Sequence, residues 1–263
     1  MCTVFLAWQQ HPDYPLVIAS NRDEFHQRPT AAAQWNDDET WFGGRDQRDG
    51  GSWFGVARSG RFAVITNFRA PALERKDAES RGALVRRWLA GEASDQFISH
   101  LECDDVYNGF NLLFGDREQL MYFSNRQADK AVQRLTAGIY GLSNGLLDEA
   151  WPKVSLGKRR FSALMENQEL DFDVLTGLMR DKRPAPDHTL PNTGVPKAWE
   201  SLLSSLFITS PAYGTRATTV VSLDKQGEVC FRETRFHPSG DEAGVESSQF
   251  FLTPVAGTGS GEG

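Results

Sequence analysis

Short apolar runs separated by polar turns fill both ends of the chain. The run from Met1 to Trp8 is followed by a polar turn and a second run from Leu16 to Ala19, which predicts a β-hairpin with Cys2 at one end. The polar residues 20–25 are predicted to leave this second strand. The same pattern predicts further strands at 53–57, 61–67, 110–115, 120–123, 132–135, 206–209, 216–223 and 228–236.

Apolar residues spaced three and four positions apart predict helices between these strands. The helices are predicted at 80–90, at 94–101, from Pro152 and from Asp171. Residues 28–52 and 183–196 are predicted as loops, because glycine or proline recurs through them. This order of elements predicts an α+β fold, in which two mostly antiparallel sheets carry helices on their outer faces.

The pattern shows no repeat and no internal linker. We therefore predict one domain over residues 1–255 of the 263-residue chain. The glycine-rich residues 256–263 are predicted to be a disordered tail, because they have nothing to bury.

Composition excludes several classes of protein. The chain has 28 basic and 35 acidic residues, and the net charge of −7 argues against a nucleic-acid-binding surface. No apolar run approaches the length of a membrane span, and the first residues lack the basic start of a signal peptide. Cys2, Cys103 and Cys230 are too few and too scattered for a disulfide framework or a zinc site. We expect a reduced, cytoplasmic protein without a bound metal.

Cys2 is the first candidate for chemistry. Methionine is normally removed before a small residue, and its removal would leave Cys2 with both a thiol and a free α-amine. The amine has a pKa of roughly 7.7–8.0 and the thiol one of about 8.5. A base with a pKa near neutral pH beside a soft nucleophile is suited to covalent acyl transfer. The alternative is a small buried cysteine that begins the first strand.

Polar residues lie where several predicted strands begin or end. If these ends converge on Cys2, Asp23 could hold its amine, and the side chains of Asn67 and Asn144 could donate hydrogen bonds to an oxyanion. Arg216 could bind a carboxylate, and it or another nearby arginine could lower the pKa of the thiol. The alternative for each asparagine or aspartate is a turn, and for the arginine a surface charge.

Five separated motifs occur in order along the chain. They are Cys2-Thr3, Asn21-Arg22-Asp23-Glu24-Phe25 followed by Arg28-Pro29, Tyr107-Asn108-Gly109-Phe110-Asn111-Leu112, Tyr140-Gly141-Leu142-Ser143-Asn144 with Trp151 and Lys153, and Tyr213-Gly214-Thr215-Arg216. Together they resemble the NRDE-motif family, which is the transport and Golgi organisation protein 2 family. The resemblance extends from Cys2 to about Glu233.

The resemblance implies both a fold and two competing functions. The implied fold is a four-layer αββα sandwich like that of the N-terminal-nucleophile hydrolases. Members of that superfamily, such as bile salt hydrolases and penicillin V acylases, cleave small-molecule amides with an N-terminal cysteine. The first function is therefore an amide hydrolase or acyltransferase. The second is a non-enzymatic carrier of haem or of an acyl-CoA-like or lipid-like amphipathic ligand, with haem as cargo and no cofactor required.

The resemblance to the amidases implies catalytic roles for individual residues of this chain. Cys2 matches their nucleophile, Asp23 matches the aspartate of their Arg-Asn-x-Asp stretch, and Asn144 matches their oxyanion asparagine. Asn67 and Arg216 are looser matches.

The chain departs from the amidases at the start of that stretch. Asn21 is in place, but Ser20 stands where they have arginine, and an arginine appears instead at Arg22. Neighbouring strand positions point to opposite faces, so Arg22 is not a simple substitute.

A carrier would need residues that hold its ligand. We predict Asn21, Arg22 and His26 as ligand-binding residues, with His26 as the candidate haem ligand, although the chain has no Cys-x-x-Cys-His haem-attachment motif. Nearby aromatic residues would suit an apolar ligand or belong to the core; they are Trp35, Trp41, Phe42, Trp53 and Phe54.

Overall fold

The strands of the computed structural model, which describes residues 2–103, 105–167 and 170–254, form two antiparallel sheets. The predicted tail lies outside these residues. The first sheet consists of β1 (Cys2–Trp8), β2 (Leu16–Phe25), β10 (Gly138–Leu142), β11 (Tyr213–Leu223), β12 (Glu228–Phe236) and β13 (Glu242–Phe251), in the order β10-β1-β2-β11-β12-β13. The second, in chain order throughout, consists of β3 (Thr30–Trp35), β4 (Trp41–Asp46), β5 (Phe54–Ala57), β6 (Phe62–Asn67), β7 (Phe110–Gly115), β8 (Leu120–Ser124) and β9 (Gln133–Leu135).

Helices cover the outer face of each sheet. α3 (Pro152–Leu164) and α4 (Phe172–Met179) pack on the first sheet, and α1 (Gly82–Leu89), followed by α2 (Ser94–Cys103), packs on the second. A short α5 (Lys197–Leu202) and two 3₁₀ turns complete the helical segments of the described residues. The layers therefore follow the order α, β, β, α, which confirms the predicted sandwich. None of the helices in the described ranges combines the length and apolar character needed to cross a membrane.

The alternation of side chains along β1 explains its central position. Val4, Leu6 and Trp8 belong to the core between the two sheets, whereas Phe5 and Ala7 pack beneath α3 and α4. Every residue of β1 is buried, which is why this strand reads as a continuous apolar run. Cys2 lies at its first position and faces the same side as Val4.

α3 packs closely on the first sheet where it crosses β1. Gly157 rests on the ring of Phe5, and a Cβ at this glycine would overlap that ring. Phe161, one turn later, packs on the same ring with the centroids 6.0 Å apart. The missing side chain of Gly157 therefore sets the distance between α3 and β1.

Gly157→Ala is expected to lower the free energy of unfolding by about 1–3 kcal/mol, because the added methyl overpacks this contact. Gly177→Ala is a matched control in α4, since a Cβ there would meet nothing within 4 Å. The control should be neutral or stabilising by up to about 1 kcal/mol, as expected for alanine in a helix. Urea denaturation of both variants measures the difference, and equal stabilities would contradict this account of the packing.

Several sequence-based assignments are wrong in informative ways. β2 continues through the polar residues 20–25, because β11 pairs with it along its whole length. The predicted loop 28–52 contains β3 and β4, residues 206–209 do not form a strand, and β13 was not predicted. Each error concerns a segment whose conformation depends on a distant partner rather than on its own pattern.

Candidate active site

A cavity of about 490 Å³ lies where β1 begins. Its lining includes Cys2, the last residues of β2, Trp53, Asn67 and residues 78–82 at the start of α1. Most of the lining side chains are charged or polar; they include Arg22, Asp23, Glu24, Arg28, Asp46, Asp49 and Arg81. The cavity therefore suits a polar ligand better than an extended apolar one.

The thiol of Cys2 is buried, with 6% of the residue exposed. Cys2 pairs directly with Arg22 across the β1–β2 ladder. Burial nevertheless raises the pKa of the thiol, and Arg22 opposes this only in part. The expectation of a net pKa below the ordinary value is therefore wrong, although Arg22 acts in the expected direction. The thiol needs a base, because no pre-formed thiolate is favoured.

The carboxyl group of Asp23 is completely buried beside Cys2. Its Oδ1 accepts a hydrogen bond of 2.7 Å from the Thr215 hydroxyl, and Thr215 is its direct partner across the β2–β11 ladder. The hydroxyl of Tyr213 donates to the Asp23 main-chain oxygen at 3.0 Å. Burial raises the pKa of Asp23, and Lys153 contributes the largest opposing effect.

Arg22 separates this cavity from a second one of about 290 Å³. Its guanidinium group lies over the ring of Trp53, 4.1 Å from the centroid, and both residues line both cavities. Nη1 donates to the Thr30 hydroxyl at 2.8 Å, and Nη2 lies 3.5 Å from a carboxylate oxygen of Asp46. Four directions of contact therefore fix the position of Arg22: the ring, the hydroxyl, the carboxylate and its own strand.

The two predicted oxyanion asparagines occupy adjacent positions, but only Asn67 lines the cavity of Cys2. Asn144 is fully buried behind it, and its Nδ2 donates to the Asn67 main-chain oxygen at 2.8 Å. Its Oδ1 accepts from Ser143 and Arg69. Asn144 therefore positions the backbone of Asn67.

The remaining predicted residues have contacts elsewhere. Asn21 donates from Nδ2 to the main-chain oxygens of Met179 and Leu206, at 2.8 and 2.9 Å, and so ties β2 to the segment after α4. His26 and Arg216 line the second cavity. The Arg216 guanidinium donates to three main-chain oxygens between positions 25 and 28. Of the eight predicted residues, the structure brings Cys2, Arg22, Asp23 and Asn67 to one cavity.

Sequence reasoning missed a group of buried charged residues beside Asp23. Arg69 forms a 2.7 Å ion pair with Glu200, and its guanidinium lies over the ring of Trp151. Lys153 is also buried, with 4% of its surface exposed. The only signal in the sequence was that Trp151 and Lys153 follow the fourth motif. Nothing in the pattern indicated that they reach the end of β2.

Glu233 is a buried carboxyl group at the second cavity. Burial raises its pKa from 4.5 to about 7. Its Oε1 accepts a hydrogen bond from the Ala33 amide, whereas Oε2 has no hydrogen-bond partner among the described residues. Between pH 4.5 and about 7 the folded protein therefore holds a proton that the unfolded chain has lost. The free energy of unfolding falls as pH rises through this window, and the loss is complete above it.

Glu233→Gln is expected to remove this loss, because glutamine does not ionise and can still accept from the Ala33 amide. The variant should be more stable than the wild type by about 3 kcal/mol at pH 8, with most of that difference gone at pH 4.5. Urea denaturation at both pH values measures the gap between the two proteins. A gap that does not change with pH would show that Glu233 does not titrate as described.

Two solved structures align with this chain over most of its length. One is the Caenorhabditis elegans ortholog of N-acylethanolamine-hydrolyzing acid amidase, 11% identical, with a TM-score of 0.49 and coverage of 83% of this chain and 92% of that one. Another is a variant of the conjugated bile acid hydrolase of Clostridium perfringens, 10% identical, with a TM-score of 0.49 and coverage of 98% and 99%.

Similarity in sequence is much closer to another set of proteins. The chain is 33% identical to the transport and Golgi organization protein 2 homolog of Bos taurus over 256 residues, which cover 89% of this chain and 92% of the relative. The homolog of Homo sapiens is 32% identical with the same coverage. The sequence model of the family Transport and Golgi organisation 2 matches residues 1–238. The chain therefore belongs to the Transport and Golgi organisation 2 family.

Proposed function

We propose that this protein is an N-terminal-cysteine amide hydrolase, or an acyltransferase that uses the same acyl-enzyme. The observation that carries the proposal is the position of Cys2, which begins a central buried strand, lines a cavity and lies beside the buried carboxyl group of Asp23. Removal of Met1 would place the base and the nucleophile on one residue. Because the pKa of the thiol is raised, the thiol needs a base to remove its proton, and the adjacent α-amine would serve as that base.

The proposed reaction begins when the α-amine of Cys2 takes the thiol proton and Sγ bonds to the carbonyl carbon of the substrate. The carbonyl oxygen becomes an oxyanion, for which the proposed donor is Asn67, the predicted oxyanion asparagine that lines the cavity. The carbon–nitrogen bond then breaks, the leaving amine takes the proton from the α-ammonium group, and a thioester remains on Cys2. Water attacks the thioester and gives a proton to the α-amine, which returns it to Sγ as the acid leaves. An acceptor amine in place of water completes acyl transfer.

The lining of the cavity indicates the class of substrate. Charged side chains surround the approach to Cys2, and the apolar contribution is small, with Trp53 and Ile65 its largest members. Burying a fatty acyl chain or a steroid against these charges would desolvate them without compensation. The proposed substrate is therefore a small amide with a charged or strongly polar group near the scissile bond.

A panel of amides tests this proposal on protein whose mass shows that Met1 is absent. The panel pairs acyl groups that carry a carboxylate or an ammonium group with alkyl acyl groups of equal length. We expect turnover of charged members to exceed that of the alkyl members by at least about tenfold, which corresponds to 1.4 kcal/mol of transition-state binding. The absence of any Cys2-dependent turnover across the panel would overturn the hydrolase proposal.

A carrier that binds a polar or amphipathic ligand without cleaving it is the second candidate. The raised pKa of the Cys2 thiol favours it, because a neutral thiol is a weak nucleophile. The lining gives haem less support as the cargo. Trp41, Phe42 and Phe54 pack in the core, and His26 opens on the second cavity. A Soret shift on haem addition that is no larger than that of denatured protein would exclude haem as the cargo.

A further inference from the structure

Lys153 is a buried cation that the proposed reaction does not yet use. Its Nζ is shielded from solvent and has no hydrogen-bond partner among residues 2–103, 105–167 and 170–254. Taking an ammonium group out of water costs several kcal/mol unless an opposite charge compensates it. A lysine retained at this cost, when an apolar residue would fill the same space, points to a task for its charge.

The packing of α3 shows where this charge lies. Lys153, Gly157 and Phe161 are spaced four residues apart and so share one face of the helix. The last two of these rest on Phe5 of β1. Lys153, one turn earlier, therefore lies over the first residues of β1, on the face of the sheet that Asp23 also occupies.

The ionisable groups around Lys153 come from several elements. Asp23 of β2 is the strongest favourable partner, followed by the thiol of Cys2 on β1 and then Glu200 of α5, while Arg69 repels it. Glu200 is already paired with Arg69 at 2.7 Å. The charge of Lys153 is therefore stabilised mainly by Asp23 and by Cys2 at the start of β1.

We propose that Lys153 is a positioning residue that keeps the α-amine of Cys2 unprotonated at neutral pH by placing a second cation beside Asp23. This inference rests on the proposed function, since it concerns the base of that reaction. Without Lys153, the α-amine would be the nearest counter-charge for the buried carboxylate, and Asp23 would hold it as an ammonium group. An ammonium group cannot accept the thiol proton. With Lys153 present and charged at neutral pH, its ammonium group balances the charge of Asp23, and Asp23 orients the amine without trapping its proton.

Burial and the neighbouring carboxyl group have opposite effects on the pKa of Lys153. Burial lowers the pKa of Lys153 to about 8, and Asp23 limits the decrease. The lysine is thus mostly charged at neutral pH and loses its charge above about pH 8. The hydroxyl of Tyr213, whose pKa burial raises well above its ordinary value, stays neutral throughout this range.

NMR titration of the α-amine tests this inference independently of turnover. Protein beginning at Cys2 would be prepared with cysteine labelled by ¹⁵N and ¹³C, and the Cys2 signal is the one that Cys2→Ala removes from the set of three cysteines. In the wild type, we expect the amine to titrate below the ordinary value of about 7.7. In Lys153→Met, its proton affinity should rise at least about tenfold, which is one pH unit. Lys153→Arg keeps the charge and should stay near the wild type.

Two results would overturn the inference: a folded Lys153→Met with the wild-type midpoint, or a wild-type midpoint at or above about 7.7. The second decides the matter even if Lys153→Met does not fold. The proposed function fails separately. If the midpoint moves as expected but no amide is cleaved, the hydrolase proposal is wrong and the role of Lys153 stands. If amides are cleaved but the midpoint does not move, Lys153 has only a structural role.

Discussion

Cys2→Ala is expected to reduce amide turnover by about 10⁴-fold or more. The variant removes one sulfur atom, and with it the only group in the proposed reaction that bonds to the substrate. Ligand binding should survive, because the charged lining of the cavity is unchanged. The comparison of steady-state turnover with equilibrium binding, on the substrate found by the panel, measures both effects.

Cys230→Ala is the matched control for this substitution. Cys230 is a second free cysteine, partly buried in β12, and lines neither of the two cavities that meet at Arg22. Its replacement should leave turnover within about threefold of the wild type, as expected away from functional features. If Cys2→Ala retained turnover while the control behaved as expected, the nucleophile would have to be another group.

Asp23→Asn is expected to reduce turnover by about 10²- to 10⁴-fold, the range in which a positioned proton-transfer partner contributes. Asparagine keeps the volume of aspartate, and its Oδ1 can still accept from the Thr215 hydroxyl. The substitution removes the negative charge that orients the α-amine of Cys2. Because the Asp23 side chain has no exposed surface, ligand affinity should change little.

Glu233→Gln is a control for the loss of a buried carboxyl group. Glu233 is as deeply buried as Asp23 but lines the second cavity, on the other side of Arg22. Its replacement should leave turnover nearly unchanged while it raises stability at alkaline pH. Asp23→Asn with wild-type turnover would remove Asp23 from the mechanism, whereas a loss in both variants would indicate a general effect of buried charge.

The hydrophobic pattern of the sequence predicted the central strands of both sheets, and it did not predict several strands nearer their edges. The central strands are long apolar runs or clear alternations, and those of β1, β6 and β7 were predicted nearly to their ends. β13 was not, because it is an edge strand in which Phe250 is buried while Val245 and Phe251 are exposed, so its pattern of apolar residues does not mark one buried face. β3 and β4 are short, β4 contains adjacent glycines, and the two strands pair across a β-bulge. Such strands form because they pair with neighbouring strands of the sheet, and their own sequence does not predict them.

The candidate site was predicted in the same uneven way. Cys2, Asp23 and Asn67 converge because the β1–β2 ladder and the end of β6 bring them together, which the positions of the strand ends already suggested. Arg216 does not converge on Cys2, because the β11 register shifts between Thr215 and Ala217 and its guanidinium binds main-chain oxygens nearby. A bulge of one residue is invisible in the sequence, yet it sends a side chain to a different cavity.

Asn21 shows why resemblance to a motif does not by itself assign a role. It belongs to the motif that names the family, and its polarity suggested a ligand contact. In the structure, its amide donates to the main-chain oxygens of Met179, at the end of α4, and of Leu206, and its Oδ1 accepts from the Thr218 hydroxyl at 2.6 Å. These partners lie more than 150 residues away in the sequence, with separations from 158 to 197. The sequence alone does not show these contacts, through which Asn21 holds β2 in place.

The free α-amine of Cys2 is the central claim, and intact-mass spectrometry of the protein purified from its native host tests it most directly. The account predicts a mass that lacks Met1, with Cys2 as the first residue in N-terminal sequencing. It also predicts that a brief reaction with a cleaved amide adds the mass of one acyl group to Cys2. A protein that retains Met1 has no amine on the nucleophile, and this result would contradict the proposed mechanism whatever else the cavity binds.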